Sequence, residues 1–144
     1  MKALTISQPY ASMIMRGEKF VENRTWETHY RGPLAIHAGK GTQYLSYGEL
    51  QGYPTGQIIA IGQLVACVSL DEIRERCEDP HARNELVPNT RLTWSDVENH
   101  EHTEGPYCWI LEDVRRIQFV EVSGKQGLWN YNTQDNLQME FNLQ

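Results

Sequence analysis

Lys19, Glu22 and Arg24 fall close together in the stretch GEKFVENRTW, residues 17–26, with Phe20 and Trp26 among them. Alternate residues of a β-strand share a face at a spacing of about 7 Å. An extended reading of this stretch sets Phe20, Glu22, Arg24 and Trp26 on one side and Val21, Asn23 and Thr25 on the other, with Lys19 at the turn just before them. In such a cluster, positive neighbours favour an ionised carboxylate, whereas like charge and burial favour a neutral amine that can act as base or nucleophile. Arginine beside flat aromatic surface also offers what single-stranded nucleic acid or a flipped-out base requires, phosphate contact together with stacking. The same Glu-x-Arg spacing serves elsewhere as a plain surface ion pair worth under about 1 kcal/mol.

The flanking sequence supplies the elements that would hold these groups. KALTIS at 2–7 reads as a short strand with Leu4 and Ile6 on one face. Ser7 or Gln8 as cap, Pro9 in the first turn and Gly17 at the end frame a helix whose stripe is Tyr10, Met13 and Ile14. Tyr30-Arg31-Gly32-Pro33 is a turn, followed by the strand PLAIHA at 33–38. The pattern predicts a short helix around Thr42–Leu50, a loop at 52–56, and a strand rich in Ile and Val over Gln57–Ser69, with Gly62 marking a bulge or bend. A helix over Asp71–Cys77 and another opened by Thr93-Trp94-Ser95-Asp96 follow, then a loop at 100–106 and strands at Tyr107–Val114 and Phe119–Val122. Gly124-Lys125-Gln126-Gly127-Leu128-Trp129 is a tight turn before a polar tail; it either touches a phosphate or closes the sheet with Trp129 as a plug. The fold class expected from these elements is α+β, a small mixed β-barrel with two to four short helices packed against it.

At 144 residues the chain is most simply one domain, 1–144, able to bury its own core. Its three cysteines, Cys67, Cys77 and Cys108, have no CxxC spacing and read as reduced thiols. The longest apolar run, at 58–70, is interrupted by Gly62, Gln63 and Ser69 and falls short of the roughly 18 residues of a membrane span. With no apolar signal-peptide core at the N-terminus, the expected location is cytoplasmic.

The net charge of −6 argues against non-specific binding to duplex nucleic acid. Its distribution is uneven. Residues 1–40 carry six basic side chains against three acidic, whereas residues 71–104 carry ten acidic against four basic. An anion would be received on the N-terminal side; the acidic 71–104 segment reads as an insertion-like solvated surface or a face for a protein partner. His100-Glu101-His102 matches no metal-site spacing, and no metal or other cofactor is expected. Phosphate-loop, dinucleotide and serine-hydrolase signatures are missing from the sequence.

Ser7-Gln8-Pro9-Tyr10, Gly17-Glu18-Lys19, Glu22-Asn23-Arg24-Thr25-Trp26, Tyr30-Arg31-Gly32-Pro33 and His37-Ala38-Gly39-Lys40 resemble, in order and spacing, the opening of an ASCH domain (activating signal cointegrator homology), whose signature is G-x-K-x-x-E-x-R. Gly105–Leu111 and Gly124–Trp129 are similar to that family's closing strands. The resemblance spans roughly residues 2–130 and is weakest over 71–104. It implies a PUA-like β-barrel with a cleft lined by the signature strand, and binding of RNA or of a modified nucleotide or nucleoside. Carried over, Lys19, Glu22 and Arg24 fall in the signature, Lys40 in the basic position after the His37 strand, with His37 and Trp26 flanking. The family also includes enzymes, which leaves a catalytic alternative with Lys19 and Glu22 as the acting pair. One form is a ribonuclease. The other is an amidohydrolase acting on N4-acetylcytidine, although Glu22 stands here where those enzymes carry a nucleophilic threonine. A protein-interaction module is the third reading.

Overall fold

The computed structural model describes residues 1–49 and 52–132. Its strands are β1 (Lys2–Ile6), β2 (Val21–Arg24), β3 (Gly32–Ala38), β4 (Gln57–Ser69), β5 (Tyr107–Glu121) and β6 (Leu128–Asn130). The helices are α1 (Tyr10–Met15), α2 (Leu70–Glu78) and α3 (Trp94–Asn99), with a single 3-10 turn at Ala82–Asn84. The strands hydrogen-bond in the order β2-β5-β4-β3-β1-β6. β1 runs parallel to β3 and antiparallel to β6, and β2 runs antiparallel to β5, so the sheet is mixed, in keeping with the α+β expectation.

The chain forms two compact units. The first comprises Met1–Glu18, Pro33–Gly62 and the chain from Asp113 onward; the second comprises Lys19–Gly32 and Gln63–Glu112. In the first unit, Ala3, Ala35, Ile58, Ile61, Ile117 and Trp129 pack together with Tyr131. Trp129 thus takes the plugging role expected of it. Helix α1 belongs to this unit. The Gln8 Oε1 atom accepts the Ser12 N–H at 2.9 Å. At the other end Glu18 N–H reaches Met13 O and Gly17 N–H reaches Ile14 O, the paired bonds of a Schellman stop.

The second unit has its own core, built from Val21, Ala66, Ile73, Val87, Trp94, Val97 and their neighbours. Most of these come from the acidic segment. Ile73 and Cys77 are four apart on α2, and Trp94 and Val97 three apart on α3, so each short helix buries one stripe. Nine of the ten acids between 71 and 104 are exposed and Glu72 is half-buried. Caps fix where the helices begin. Ser69 Oγ accepts the Glu72 N–H at 3.1 Å, and Thr93 and Asp96 exchange side-chain-to-backbone bonds in a capping box.

Two expectations are corrected. No helix forms over the described part of 42–50; residues 42–49 make successive turns instead, with Leu45 N–H to Thr42 O and Glu49 N–H to Ser46 O, both 3.0 Å. The Glu49 carboxylate accepts the Ser46 N–H, and Tyr44 and Tyr47 are exposed, so no buried stripe sustains a helix this short. The last position of that expected helix, Leu50, and the polar tail beyond residue 132 lie outside the described residues. The second correction joins the strands expected at 107–114 and 119–122 into the single strand β5. Arg115, Arg116 and Gln118 are exposed while Ile117 is buried, and an antiparallel strand with one wet face tolerates such a polar run.

Candidate functional site

Strand β2 is shorter than the extended stretch read from the sequence. Only Val21–Arg24 pairs, antiparallel to β5, with Glu22 opposite Trp109 and Arg24 opposite Tyr107. Lys19 and Phe20 precede the strand and Trp26 follows it. Val21 is fully buried, which seats the strand, and Phe20 packs against the same core with its ring stacked on His100 at 3.7 Å.

The carboxylate of Glu22 holds two cations at once. Its Oε1 is 3.2 Å from Lys19 Nζ, and its Oε2 is 2.8 Å from Arg24 Nη2 and 3.0 Å from Arg24 Nε. Lys19 also donates to the Val21 carbonyl. The three groups differ sharply in access. Lys19 is 3% exposed and Glu22 8%, whereas the Arg24 side chain keeps 24% of its surface in solvent. Trp26 is 36% exposed and meets Trp109 edge-on at 4.7 Å, while the Trp109 indole N–H donates to Trp26 O at 3.3 Å. The arrangement is a buried lysine–carboxylate pair that fixes an accessible guanidinium, with an accessible indole two residues further on.

Two neighbours of this cluster escaped the sequence reading. Asn23 Nδ2 donates to His102 O at 2.7 Å, and its Oδ1 accepts the N–H groups of Glu104 and Gly105 at 3.0 and 2.8 Å. No local signal in the sequence reveals this, because every partner lies about 80 residues away. His100 Nε2 accepts the Phe20 N–H at 3.3 Å, so the neutral ring carries its proton on Nδ1. Burial foremost, then His102 and Lys19, lower the His100 pKa to about 4 from 6.5, against an opposing pull from Glu101. Among the described residues no group of three potential ligands converges on a metal site.

The His100 environment gives a pH dependence of definite sign. The folded pKa lies below the unfolded one, so the unfolded chain takes up the proton first and stability falls as pH drops below about 6.5. Between pH 7.5 and pH 5 the loss assigned to this ring, after screening by solvent on its open side, is about 1 kcal/mol. Urea unfolding at the two pH values, wild type beside His100→Gln, measures it; an equal acid loss in both proteins would show that His100 is not the group responsible.

His37 and Lys40 belong to the first unit, and Lys19, Glu22, Arg24 and Trp26 to the second. His37 is 2% exposed. Its Nε2 donates to Val122 O at 2.7 Å, which leaves Nδ1 to accept the Thr5 hydroxyl at 3.1 Å. Burial foremost, and Lys40 secondarily, lower its pKa, in keeping with a neutral ring. The Trp129 indole N–H donates to the same Thr5 oxygen at 3.3 Å. Lys40 is exposed, and its aliphatic stem lies over Gly56. The structure therefore brings Lys19 and Arg24 onto the Glu22 carboxylate, with Trp26 two residues past Arg24, and in the first unit bonds His37 to Thr5 and Val122 with Lys40 near enough to be felt by its ring.

The acidic segment presents a different face. An open recess of about 540 Å³ beside α2 is lined by Asp71, Glu72, Glu75 and Asp79 with only Arg76 in opposition, a surface that repels phosphate. The thiols take no part in charge chemistry. All three cysteines are free, and burial pushes Cys108 up to about 11. No helix among the described residues is long and apolar enough to cross a membrane.

Comparison with known proteins bears on the family and the fold. The chain is 34% identical over 92 residues to activating signal cointegrator 1 of Mus musculus and 33% identical to that of Homo sapiens, in each case over 53% of this chain. The match spans only 16% of the length of those relatives. The crystal structure of ASCH from Zymomonas mobilis is similar with a TM-score of 0.55 at 14% identity, covering 99% of this chain and 94% of that one. A tyrosine-to-phenylalanine variant of the same protein gives 0.55 at 15% identity, covering 95% and 94%. At such identities the likeness is one of fold, the PUA-like fold of ASCH structures. The ASCH domain family model matches residues 4–121, from β1 through the signature strand to the end of β5, and the chain belongs to the ASCH domain family.

Proposed function

We propose that this ASCH domain binds single-stranded RNA, contacting it from β2 and the residues that flank it. Arg24 contacts phosphate or a base edge, Trp26 offers a stacking face, and Lys19 with Glu22 holds the guanidinium in place. The observation that carries this reading is the graded access around one carboxylate: Lys19 and Glu22 are buried, whereas Arg24 and Trp26 reach solvent. A guanidinium restrained on two of its nitrogens gives up little further rotamer freedom when it meets an anion, so more of the contact energy appears as affinity. Stacking on an indole adds about 1–3 kcal/mol per base without regard to sequence.

The catalytic alternative draws less from this geometry. An amine 3% exposed, held by a carbonyl and a carboxylate, is placed to position its neighbour rather than to attack a substrate. The acidic face along α2 is assigned no RNA contact.

Fluorescence anisotropy with a labelled single-stranded RNA tests the reading across a salt series. Arg24→Ala is expected to weaken binding about tenfold at low salt and to reduce the slope of log K against log[salt] by about 0.7, one phosphate contact on a single strand. Glu75→Gln, in the acidic recess, should not weaken it. An RNA that fails to bind wild type, or binds folded Arg24→Ala equally well, overturns the proposal.

A further inference from the structure

We infer that the loop Ser123–Gly127, together with Lys40, forms a phosphate-binding seat at one end of the first unit. The sequence offered two roles for Gly124-Lys125-Gln126-Gly127, and the structure assigns the closing role to Trp129, which leaves the loop itself to be explained.

The backbone of this loop is open for an anion. None of the four successive N–H groups from Ser123 to Gln126 donates to an acceptor among the described residues, and all four residues are exposed. Gly127 follows at a φ of +66°, the left-handed conformation that recurs where consecutive amides converge on an anion. Lys125 is exposed within the loop.

The loop is also held in place, as a preorganised seat must be. Val122 N–H donates to Gly56 O at 3.2 Å, and Gly56 N–H donates to Ala38 O at 2.7 Å. His37 grips Val122 O through its Nε2–H. Gly124 rests so closely on His37 and Thr5 that an added Cβ would come within 2.6 Å of both the His37 ring and Thr5 Oγ1. Only a residue without a side chain lets the backbone lie there. The same strand ends bring in Lys40, whose stem crosses Gly56 and whose charge is felt by His37. A second cation therefore stands on the connection that anchors the loop. Free amides, a flexible lysine and a neighbouring lysine are the donor set of a phosphate or phosphodiester site.

The ligand class is thus a phosphate oxyanion, either a free anion or the backbone of a bound strand. The seat stands on the first unit's geometry alone; only its assignment to an RNA backbone rests on the proposed function. The test is an amide NMR titration of the full chain with inorganic phosphate in one arm and an unphosphorylated single-stranded RNA in the other. The amides of Ser123–Gly127 are expected to shift in at least one arm. Shifts with phosphate identify an isolated anion, and shifts with RNA alone identify the phosphodiester backbone. Lys125→Glu, at an exposed position, should abolish the loop shifts and weaken RNA about tenfold wherever the RNA arm responds. No loop shift in either arm, or equal shifts in Lys125→Glu, overturns the inference. Failure of RNA to bind while phosphate still moves the loop would overturn the proposed function and leave the seat standing.

Discussion

Glu22→Ala is expected to cost about 3–5 kcal/mol of stability, the usual penalty for removing one partner of a buried ion pair. In a chain of this size that lowers Tm by roughly 10 °C. The loss is not shared evenly between the two cations. Arg24 keeps a quarter of its side chain in solvent and can rehydrate, whereas the Lys19 ammonium is almost wholly out of reach of water. Two corollaries follow from that asymmetry. In double-mutant cycles the coupling of position 22 to Lys19 should exceed its coupling to Arg24. The double variant Lys19→Met with Glu22→Leu, which removes both buried charges, should recover most of the stability lost in Glu22→Ala. Urea unfolding at neutral pH gives all of these values. A cost below about 1 kcal/mol would mean that the amine is hydrated in solution, and the reading of Lys19 as the group that fixes Arg24 would fall with it.

What the sequence made legible follows from the range over which each signal acts. Elements set by local periodicity and caps were readable: the Schellman stop at Gly17, the Thr93–Asp96 capping box, and the apolar run of β4. The pairing of Lys19 and Arg24 with Glu22 was also within reach, since all three lie within six residues. Elements that depend on tertiary burial were misread. The turns at 42–49 have a composition that suits a helix but no surface to bury, and β5 looked broken because its solvent face is charged. The graded access of the site was invisible for the same reason. Alternation along an ideal strand sets Phe20 and Glu22 on one face as equals, yet Phe20, whose carbonyl still accepts the Leu111 N–H of β5, lays its ring onto His100, 80 residues away. The acidic segment is the sharpest instance. Its charge count read as a solvated insertion, while Ile73, Val87, Trp94 and Val97 make it much of the second unit's core.

Asn23→Ala is the second large effect expected, about 2–4 kcal/mol, although this residue carries no charge and was assigned no role from its spacing. Its side-chain amide uses both ends. The oxygen takes two successive N–H groups, those of Glu104 and Gly105, and lies 3.8 Å from the Cys108 thiol; the nitrogen gives a proton to His102 O. These bonds tie the 102–105 turn to β2 one residue away from both Glu22 and Arg24. Truncation leaves the Gly105 N–H, in a half-buried residue, without its acceptor, and an unmet donor costs more than the net worth of the bond it has lost. Asn23→Asp separates the two halves of the interaction. It retains acceptors for both N–H groups but loses the donor to His102 O, so it should fall between wild type and alanine at neutral pH. Hydrogen exchange adds a readout of place, since the Glu104 and Gly105 amides should lose protection in Asn23→Ala before the rest of β5 does. If Asn23→Ala melts with wild type and those two amides stay protected, the turn is held by other means, and the restraint on Arg24 must come from the buried ion pair alone.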